Sequence, residues 1–136
     1  MKLITFISAG AFIFFSAFAL KKQASSSLYE TKWTLKSIHK DGTIEEVKTN
    51  AFIHFHPEKK SAGGNGSCNS FGSSFTLTGN QISFKNIFST KMYCEEVQKT
   101  EDAFFKQLEK VNRFEIKGKT LLLYQGDILL LEFGSE

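Results

Sequence analysis

The sequence Gly64-Asn65-Gly66-Ser67-Cys68-Asn69-Ser70-Phe71 contains one of the two cysteines in this 136-residue chain. The other cysteine ends the segment Ser89-Thr90-Lys91-Met92-Tyr93-Cys94. Short strand-like patterns and one helix-like pattern surround these two segments, starting at Leu28. We therefore expect one small domain that is organised around the cysteine pair.

The first 19 residues have the composition of a secretory signal peptide. Lys2 is followed by an apolar run, and Ala17-Phe18-Ala19 fits the small-x-small pattern that precedes a cleavage site. The alternative is an uncleaved membrane anchor, because the 18-residue run from Leu3 to Leu20 is close to the minimum of roughly 17 residues for a bilayer span. We favour cleavage, because the site is present and small polar residues dilute the run.

This leader predicts both the domain boundaries and the location. We expect a signal peptide over residues 1–19, a flexible linker over 20–27 and the folded domain over 28–136. No cysteine lies near the cleavage site, so the protein is expected in the periplasm, cell envelope or medium without a lipid anchor on cysteine. Cleavage removes Lys2 and changes the formal charge from +3 to +2, which is too small to indicate nucleic-acid binding.

The cysteine pair allows two interpretations. Outside the cytoplasm, an even pair of cysteines most simply forms a disulfide bond. A Cys68–Cys94 bond would restrict the unfolded chain by roughly 3 kcal/mol in the loop-entropy model. The alternative is two buried free thiols that pack as small apolar groups. We favour the disulfide, because a hairpin predicted between the cysteines could bring them together.

Alternating apolar residues predict the first strands. Trp33 and Leu35 alternate with polar residues, and Asp41-Gly42 predicts a tight turn after them. The charged segment Ile44–Val47 is typical of an edge strand. The next strand, Ala51–His56, has its better core face on the odd-numbered residues.

The clearest hairpin is centred on Gly79-Asn80. A two-residue turn there pairs Leu77 with Ile82 and Phe75 with Phe84, which places all four apolar side chains on one face. The same argument applies to a second hairpin with its turn at Gly118-Lys119.

In that second hairpin, Ile116 pairs with Leu121 and Phe114 with Leu123. For the last hairpin we predict the three-residue loop Gln125-Gly126-Asp127, because an odd loop keeps the apolar residues of both strands on one face.

Apolar residues at helical spacing predict one helix after the second cysteine: Val97, Phe104, Leu108 and Val111. Glu101 falls within this apolar stripe, where a carboxylate must reach solvent or accept hydrogen bonds from buried donors. We expect it to accept hydrogen bonds from backbone amides of the cysteine loop. The alternative is a catalytic acid, but no second acid or nucleophile stands at a recognisable spacing.

His54 and His56 lie two residues apart on a predicted strand and therefore point to one face. Two imidazoles at this spacing could share a zinc or copper ion, but a site needs further ligands, and His39 or Glu58 would only be guesses. We therefore expect two solvated histidines, with no metal and no cofactor. The glycines near Asn65 do not lead into an apolar helix, so we interpret that loop as a turn rather than a phosphate-binding loop.

The motif residues resemble the META domain family of HslJ-like heat-inducible envelope proteins, over about Tyr29 to Phe133. The resemblance rests on the following residues: Gly64, Cys68, Asn69 and Phe71; Thr90, Met92 and Cys94; Glu101, Phe104 and Leu108; and the final strands from Phe114. One departure is Ser67, where the family usually has glycine just before the first cysteine.

The resemblance implies a compact antiparallel β-barrel with lipocalin-type topology and one packed helix. It implies an exported protein with a loose link to heat and envelope stress or antibiotic tolerance, and it supplies no enzyme activity. The motif residues are then architectural, and Asn69 is expected to adopt a turn conformation that bonds its own backbone.

Two classes of partner follow from these observations. We expect a monomer that interacts with an envelope protein. The alternative is a carrier of a small apolar ligand, because many of the 15 phenylalanines remain for the core of one small barrel. In barrels of this size the side chains more often fill the interior.

Overall fold

The structure is a computed structural model that describes residues 28–135. The signal peptide and linker predicted over residues 1–27 lie outside this range. In chain order, the elements that pack together are β1 (Trp33–Lys40), β2 (Thr43–Glu46), β3 (Phe52–His56), β4 (Ser61–Asn65), β5 (Ser70–Thr78), β6 (Gln81–Ser89), α1 (Gln98–Lys110), β7 (Arg113–Lys117), β8 (Thr120–Gln125) and β9 (Ile128–Ser135).

The strands form one antiparallel sheet that closes into a ring. Their order is β2-β1-β3-β4-β5-β6-β7-β8-β9, and β9 also pairs with β1. The charged strand β2 lies at the edge of the sheet with all its residues exposed, as the sequence predicted. The mainly β, barrel-like fold with one packed helix is therefore confirmed.

The ring has a seam between β6 and β7. These strands pair only through Gln81 and Arg113, whereas the other neighbours share longer ladders. Helix α1 connects them in the chain and packs against β6, β9 and β1. The helix therefore lies along β6, and its first turn reaches the cysteine loop.

The two hairpins with two-residue turns have the predicted register. In β5–β6, Phe75 lies opposite Phe84, and Leu77 lies opposite Ile82. In β7–β8 the predicted pairs around Gly118-Lys119 are likewise found. A glycine with positive φ begins each turn, which fixes the register because such a turn joins adjacent strand ends without slack.

The predicted register of the last hairpin was wrong. Leu123 pairs with Leu131, whereas Tyr124 pairs with Leu129, because a bulge lies between Leu123 and Tyr124. The turn consists of two residues, Gly126 and Asp127, rather than three. The bulge keeps the apolar residues of β8 and β9 on one face, which is the effect that the sequence argument had assigned to an odd loop.

The interpretation of the glycine segment as a turn was also wrong in part. Ser61–Asn65 forms strand β4, which pairs with both β3 and β5. Only the following residues, 66–69, turn the chain. The strand was missed because glycine is rare in strand interiors and this one contains two in succession, Gly63 and Gly64.

Apolar side chains fill the interior of the ring. The odd-numbered face of β3 is buried, as predicted, and so are Phe104, Leu108 and Val111 on the helix stripe. Trp33 and Phe133 are the largest buried side chains of β1 and β9. In the part of the chain that the structure describes, no helix is long and apolar enough to span a membrane.

Candidate functional site

The two cysteine segments and the first turn of α1 meet in one polar cluster. Cys68 and Cys94 form a disulfide bond with their Cα atoms 5.9 Å apart, which confirms the favoured interpretation of the pair. The bond ties the β4–β5 turn to the segment that leads into α1. We call the following residues the Asn69–Glu101 cluster: Cys68, Asn69, Thr90, Met92, Cys94 and Glu101.

Glu101 is buried beneath the cysteine loop, with 2 % of its surface exposed. Its Oε2 atom accepts hydrogen bonds from the backbone N–H groups of Cys68 at 2.9 Å and Asn69 at 2.6 Å. Its Oε1 atom accepts from Asn69 Nδ2 at 2.6 Å. The carboxylate thus makes the backbone contacts that the sequence predicted, and an ionised acceptor makes such bonds short and strong.

Asn69 is the centre of the cluster and is 3 % exposed. Its Oδ1 atom accepts hydrogen bonds from Thr90 Oγ1 and from the Met92 N–H, both at 2.8 Å. Its Nδ2 atom donates to the Met92 carbonyl at 2.9 Å as well as to Glu101. These four contacts use the full hydrogen-bonding capacity of the side-chain amide.

The role expected for Asn69 in the turn belongs to its neighbours. Asn65 makes the local bond, because its Oδ1 atom accepts from the Ser67 N–H at 2.9 Å. Ser67 has the unusual backbone, with φ at 123°, a region that favours glycine. Ser67 stands where the resembled family usually has glycine, and its hydroxyl lies 2.8 Å from Thr49 Oγ1.

Two glycines allow close approaches, Gly66 to the cluster and Gly64 to strand β3. A Cβ atom on Gly66 would lie 2.8 Å from Glu101 Oε2 and 2.5 Å from Phe105 Cζ. A Cβ atom on Gly64 would lie 2.1 Å from the Phe52 carbonyl oxygen. Gly66 was not singled out from the sequence, because the need for it arises only from the approach of the helix.

The motif residues Phe71 and Met92 contribute in different ways. The Phe71 ring is buried and packs against Phe104 and Phe105, with centroids 5.4 and 5.1 Å apart. The Met92 side chain is 61 % exposed, so only its backbone serves the cluster. The motif methionine therefore contributes to the cluster through its backbone N–H and carbonyl groups.

The two candidate metal ligands lie away from this cluster, on the outer face of β3. His54 Nδ1 and His56 Nε2 are 3.3 Å apart. His39 lies on β1, with its Nε2 atom 3.1 Å from Ser37 Oγ. Within residues 28–135, no group of three or more His, Cys, Asp or Glu side chains could hold a metal ion.

A second polar group lies on β7 and β8. Glu115 contacts Arg113 at 3.2 Å and Lys117 at 3.6 Å, and it accepts a hydrogen bond from Tyr124 Oη at 3.2 Å. Partial desolvation raises the pKa of Glu115, but the Tyr124 hydrogen bond and the charges of Lys117 and Arg113 lower it more, so its pKa lies below the usual value. Desolvation and the Glu115 contact raise the pKa of Tyr124.

The Asn69–Glu101 cluster joins three chain segments that are distant in the sequence. Its carboxylate and amide are saturated by hydrogen bonds within the protein itself. A general acid must reach a substrate within hydrogen-bond distance, and this carboxylate is enclosed. The geometry therefore supports an architectural role for Glu101.

Comparison with known proteins places this geometry in a family. The family model of the META domain matches residues 26–135. The chain resembles the NMR structure of a protein from Burkholderia xenovorans, with a TM-score of 0.69 and 19 % identity over 98 % of this chain and 99 % of that one. It also resembles a second NMR structure, with a TM-score of 0.60 and 20 % identity over 80 % of this chain and 92 % of that one. No curated protein matches the sequence. The chain belongs to the META domain family.

Proposed function

We propose that this chain is an exported, non-enzymatic META-domain protein of the cell envelope that acts as a monomeric scaffold for another envelope component. The Cys68–Cys94 disulfide carries the proposal, because such bonds persist in oxidising compartments and are rare in the cytosol. The leader-like sequence of residues 1–19 supports the same location.

The state of the polar motif residues supports a non-enzymatic role. Both oxygens of Glu101 and both polar atoms of Asn69 are engaged within the protein. Removing such groups should unfold the domain rather than abolish a reaction. A scaffold needs this rigidity, because binding loses less entropy when the surface is already ordered.

Intact mass spectrometry of the exported protein tests the location and the disulfide together. The protein is purified from its native host without reduction, and a reduced aliquot serves as the control. We expect a mass that begins at Leu20 and is lower than the reduced mass by the two hydrogen atoms of one disulfide. A mass that retains residues 1–19, with free thiols, would contradict the proposal.

Deletion of the gene tests the biological role. We propose that the protein assists envelope components during heat or antibiotic stress, so survival under both stresses should fall in the deletion strain. Complementation with the wild-type gene should restore survival, and a variant lacking residues 1–19 should not. Survival that is unchanged by the deletion would count against this role.

A second candidate function is binding of a small apolar ligand. The ring interior of the described domain holds Trp33, Phe55, Phe104 and Phe133, so an interior site like that of a lipocalin has little space. An outer cleft of about 490 Å³ keeps this candidate open. It lies between the β1–β2 turn, the end of α1 and the β8–β9 turn.

The cleft is lined by exposed isoleucines, by the charged residues Lys40, Asp41 and Lys110, and by one buried amide. Ile44 and Ile128 line it and are each 65 % exposed. Gln107 is buried, and its Oε1 atom has no hydrogen-bond partner among the described atoms. An amphipathic ligand with one N–H or O–H donor would suit such a lining.

Fluorescence of the apolar probe N-phenyl-1-naphthylamine tests the cleft. We expect the wild-type protein to enhance the fluorescence and Ile128→Asp to reduce the enhancement. Phe88→Asp is the matched control, because Phe88 is equally exposed but does not line the cleft. Equal loss in both variants, or no enhancement by the wild type, would reject the second candidate.

A further inference from the structure

We propose that His54 and His56 bind one Zn²⁺ ion on the outer face of β3, with two coordination positions left open for water or for donors of another molecule. This site is independent of the function proposed above. The distance between the two imidazole rings distinguishes it from the solvated pair expected from the sequence.

The strand places both rings on one side of the sheet. Side chains two residues apart in a strand project from the same face, about 7 Å apart at their bases. Ile53 and Phe55 are buried on the opposite face and hold the strand in this orientation. His54 is half-buried and His56 is exposed, so both rings are accessible from solvent.

The two imidazole rings lean towards each other, so that their nitrogen atoms are closer together than the bases of the side chains. His54 Nδ1 and His56 Nε2 are 3.3 Å apart, and the ring centroids are 4.6 Å apart. Tetrahedral zinc with Zn–N bonds of about 2.0–2.1 Å requires ligand nitrogens roughly 3.3–3.4 Å apart. The observed separation therefore matches that of two cis ligands on one zinc ion.

The protonation states are compatible with this chemistry. A metal-free pair at this distance shares one proton between His54 Nδ1 and His56 Nε2. Zinc binding requires the donor ring to move this proton to its other nitrogen, so that both facing nitrogens offer a lone pair and each neutral ring keeps one proton. The metal therefore substitutes for a hydrogen bond that already aligns the two nitrogens.

The neighbouring strand places only small residues opposite the two histidines. Gly63 lies directly opposite His54 on β4, and Ser61 lies opposite His56. A Cβ atom on Gly63 would lie 2.8 Å from the Phe71 carbonyl oxygen, so the packing of β4 on β5 opposes a side chain there. No side chain of β4 larger than that of serine therefore lies directly opposite either histidine.

The local charges do not create the site. The turn after β3 contains Glu58, Lys59 and Lys60, all exposed, and together they carry a net positive charge. Coordination by nitrogen, rather than electrostatic attraction, must therefore hold the ion. This predicts selectivity for zinc over magnesium, because magnesium prefers oxygen ligands.

Isothermal titration of the mature, untagged protein with ZnCl₂ tests the proposal. We expect one zinc ion per chain and no heat of binding with MgCl₂. His54→Ala and His56→Ala should each weaken binding at least about tenfold, since even outer-shell changes at zinc sites cost about 10–100-fold. His39→Ala is the matched control and should bind as the wild type does, because its ring contacts Ser37 instead.

A second measurement separates coordination from unfolding. Zinc should shift the NMR signals of the His54 and His56 rings and leave those of His39 in place. Circular dichroism of the single variants should match that of the wild type, because both rings lie on the outer face. The proposal is overturned if the wild type binds no zinc, or if the His54 and His56 variants bind it as tightly as the wild type.

Discussion

Glu101 and Glu115 are both surrounded by hydrogen-bond donors, yet their surroundings differ in two respects. Glu101 is 2 % exposed, and its donors belong to Cys68 and Asn69, more than 30 positions earlier in the chain. The Glu115 side chain is 38 % exposed, and its partners lie on its own strand or the next one. The Glu101 carboxylate joins distant segments in a buried site, whereas the Glu115 carboxylate makes contacts on the exposed surface of one hairpin.

The comparison shows that the surroundings of a polar contact decide its contribution to stability. Water cannot replace the partners of a buried carboxylate. A buried donor that is left without an acceptor therefore lowers the free energy of unfolding by about 1–3 kcal/mol. Water and salt readily replace the partners of an exposed ion pair. The following experiments test this difference, starting with the largest expected effect.

Glu101→Gln should destabilise the domain by about 4 kcal/mol, because the new amide N–H group faces the Asn69 donors and the remaining bonds lose their charge assistance. Urea denaturation measures the change in the free energy of unfolding. Glu109→Gln, at an exposed position of the same helix, is the control and should unfold like the wild type. A Glu101→Gln variant of wild-type stability would refute the architectural role.

Replacement of both cysteines by serine should destabilise the domain by about 3 kcal/mol, because the open chain gains conformational entropy when unfolded. The same urea experiment measures it. The Asn69–Glu101 hydrogen bonds persist in this variant, so the native fold should be retained at 25 °C. When the two cysteine substitutions are combined with Glu101→Gln, the loss of unfolding free energy should exceed the sum of the separate losses. The reason is that the disulfide and Glu101 hold the same cysteine loop, so that nothing in the cluster holds it when both are removed.

Ser67→Gly should stabilise the domain by about 1 kcal/mol. The positive φ of Ser67 costs a non-glycine residue about 1–3 kcal/mol, and glycine relieves this strain. The substitution also removes the hydroxyl contact with Thr49, which contributes only about 1 kcal/mol. Ser74→Gly, at a position of β5 without a positive φ, is the control and should destabilise by at least about 0.5–1 kcal/mol, because glycine weakens a strand and the hydrogen bond from Ser74 Oγ to the Lys85 carbonyl is lost. Thermal melts of both variants would show opposite signs, and equal signs would contradict the assignment of strain to Ser67.

Glu115→Gln should have the smallest effect, and that effect should depend on pH. The pKa of Glu115 is lowered in the folded state, so its contribution is present above the ordinary value of 4.5 and is lost as the pH falls through the lower folded value. The melting temperatures of variant and wild type should therefore differ slightly at pH 7 and converge as the pH falls below the folded pKa of Glu115. A difference in melting temperature that grows as the pH falls would contradict the lowered pKa of Glu115.

Local signals in the sequence predicted the parts of the fold that depend on adjacent residues. The turns at Gly79-Asn80 and Gly118-Lys119 fixed two hairpin registers, because the strands on either side are contiguous in the chain. The burial of Glu101 followed from its place on an apolar stripe, since a carboxylate there needs donors. These inferences needed only periodicity and turn chemistry.

The features that were missed depend on contacts between distant segments. The bulge between Leu123 and Tyr124 shifts the register between β8 and β9, and the sequence of either strand alone gives no signal for it. Strand β4 contains two glycines whose space is taken up by β3 and β5. Asn69 bonds to residues 21 to 32 positions later in the chain, so no local rule for asparagine could predict its role.

The pairing of β1 with β9 has a consequence for the engineering of this domain. Trp33 lies opposite Ser135, so the first and last strands of the described domain are neighbours in space. A short peptide could join these ends, and new termini could be opened at the exposed turn Gly79-Asn80. In that permuted chain the pairing of β1 with β9 becomes local and the β5–β6 hairpin becomes the long-range contact, so the order in which the ring assembles should be reversed.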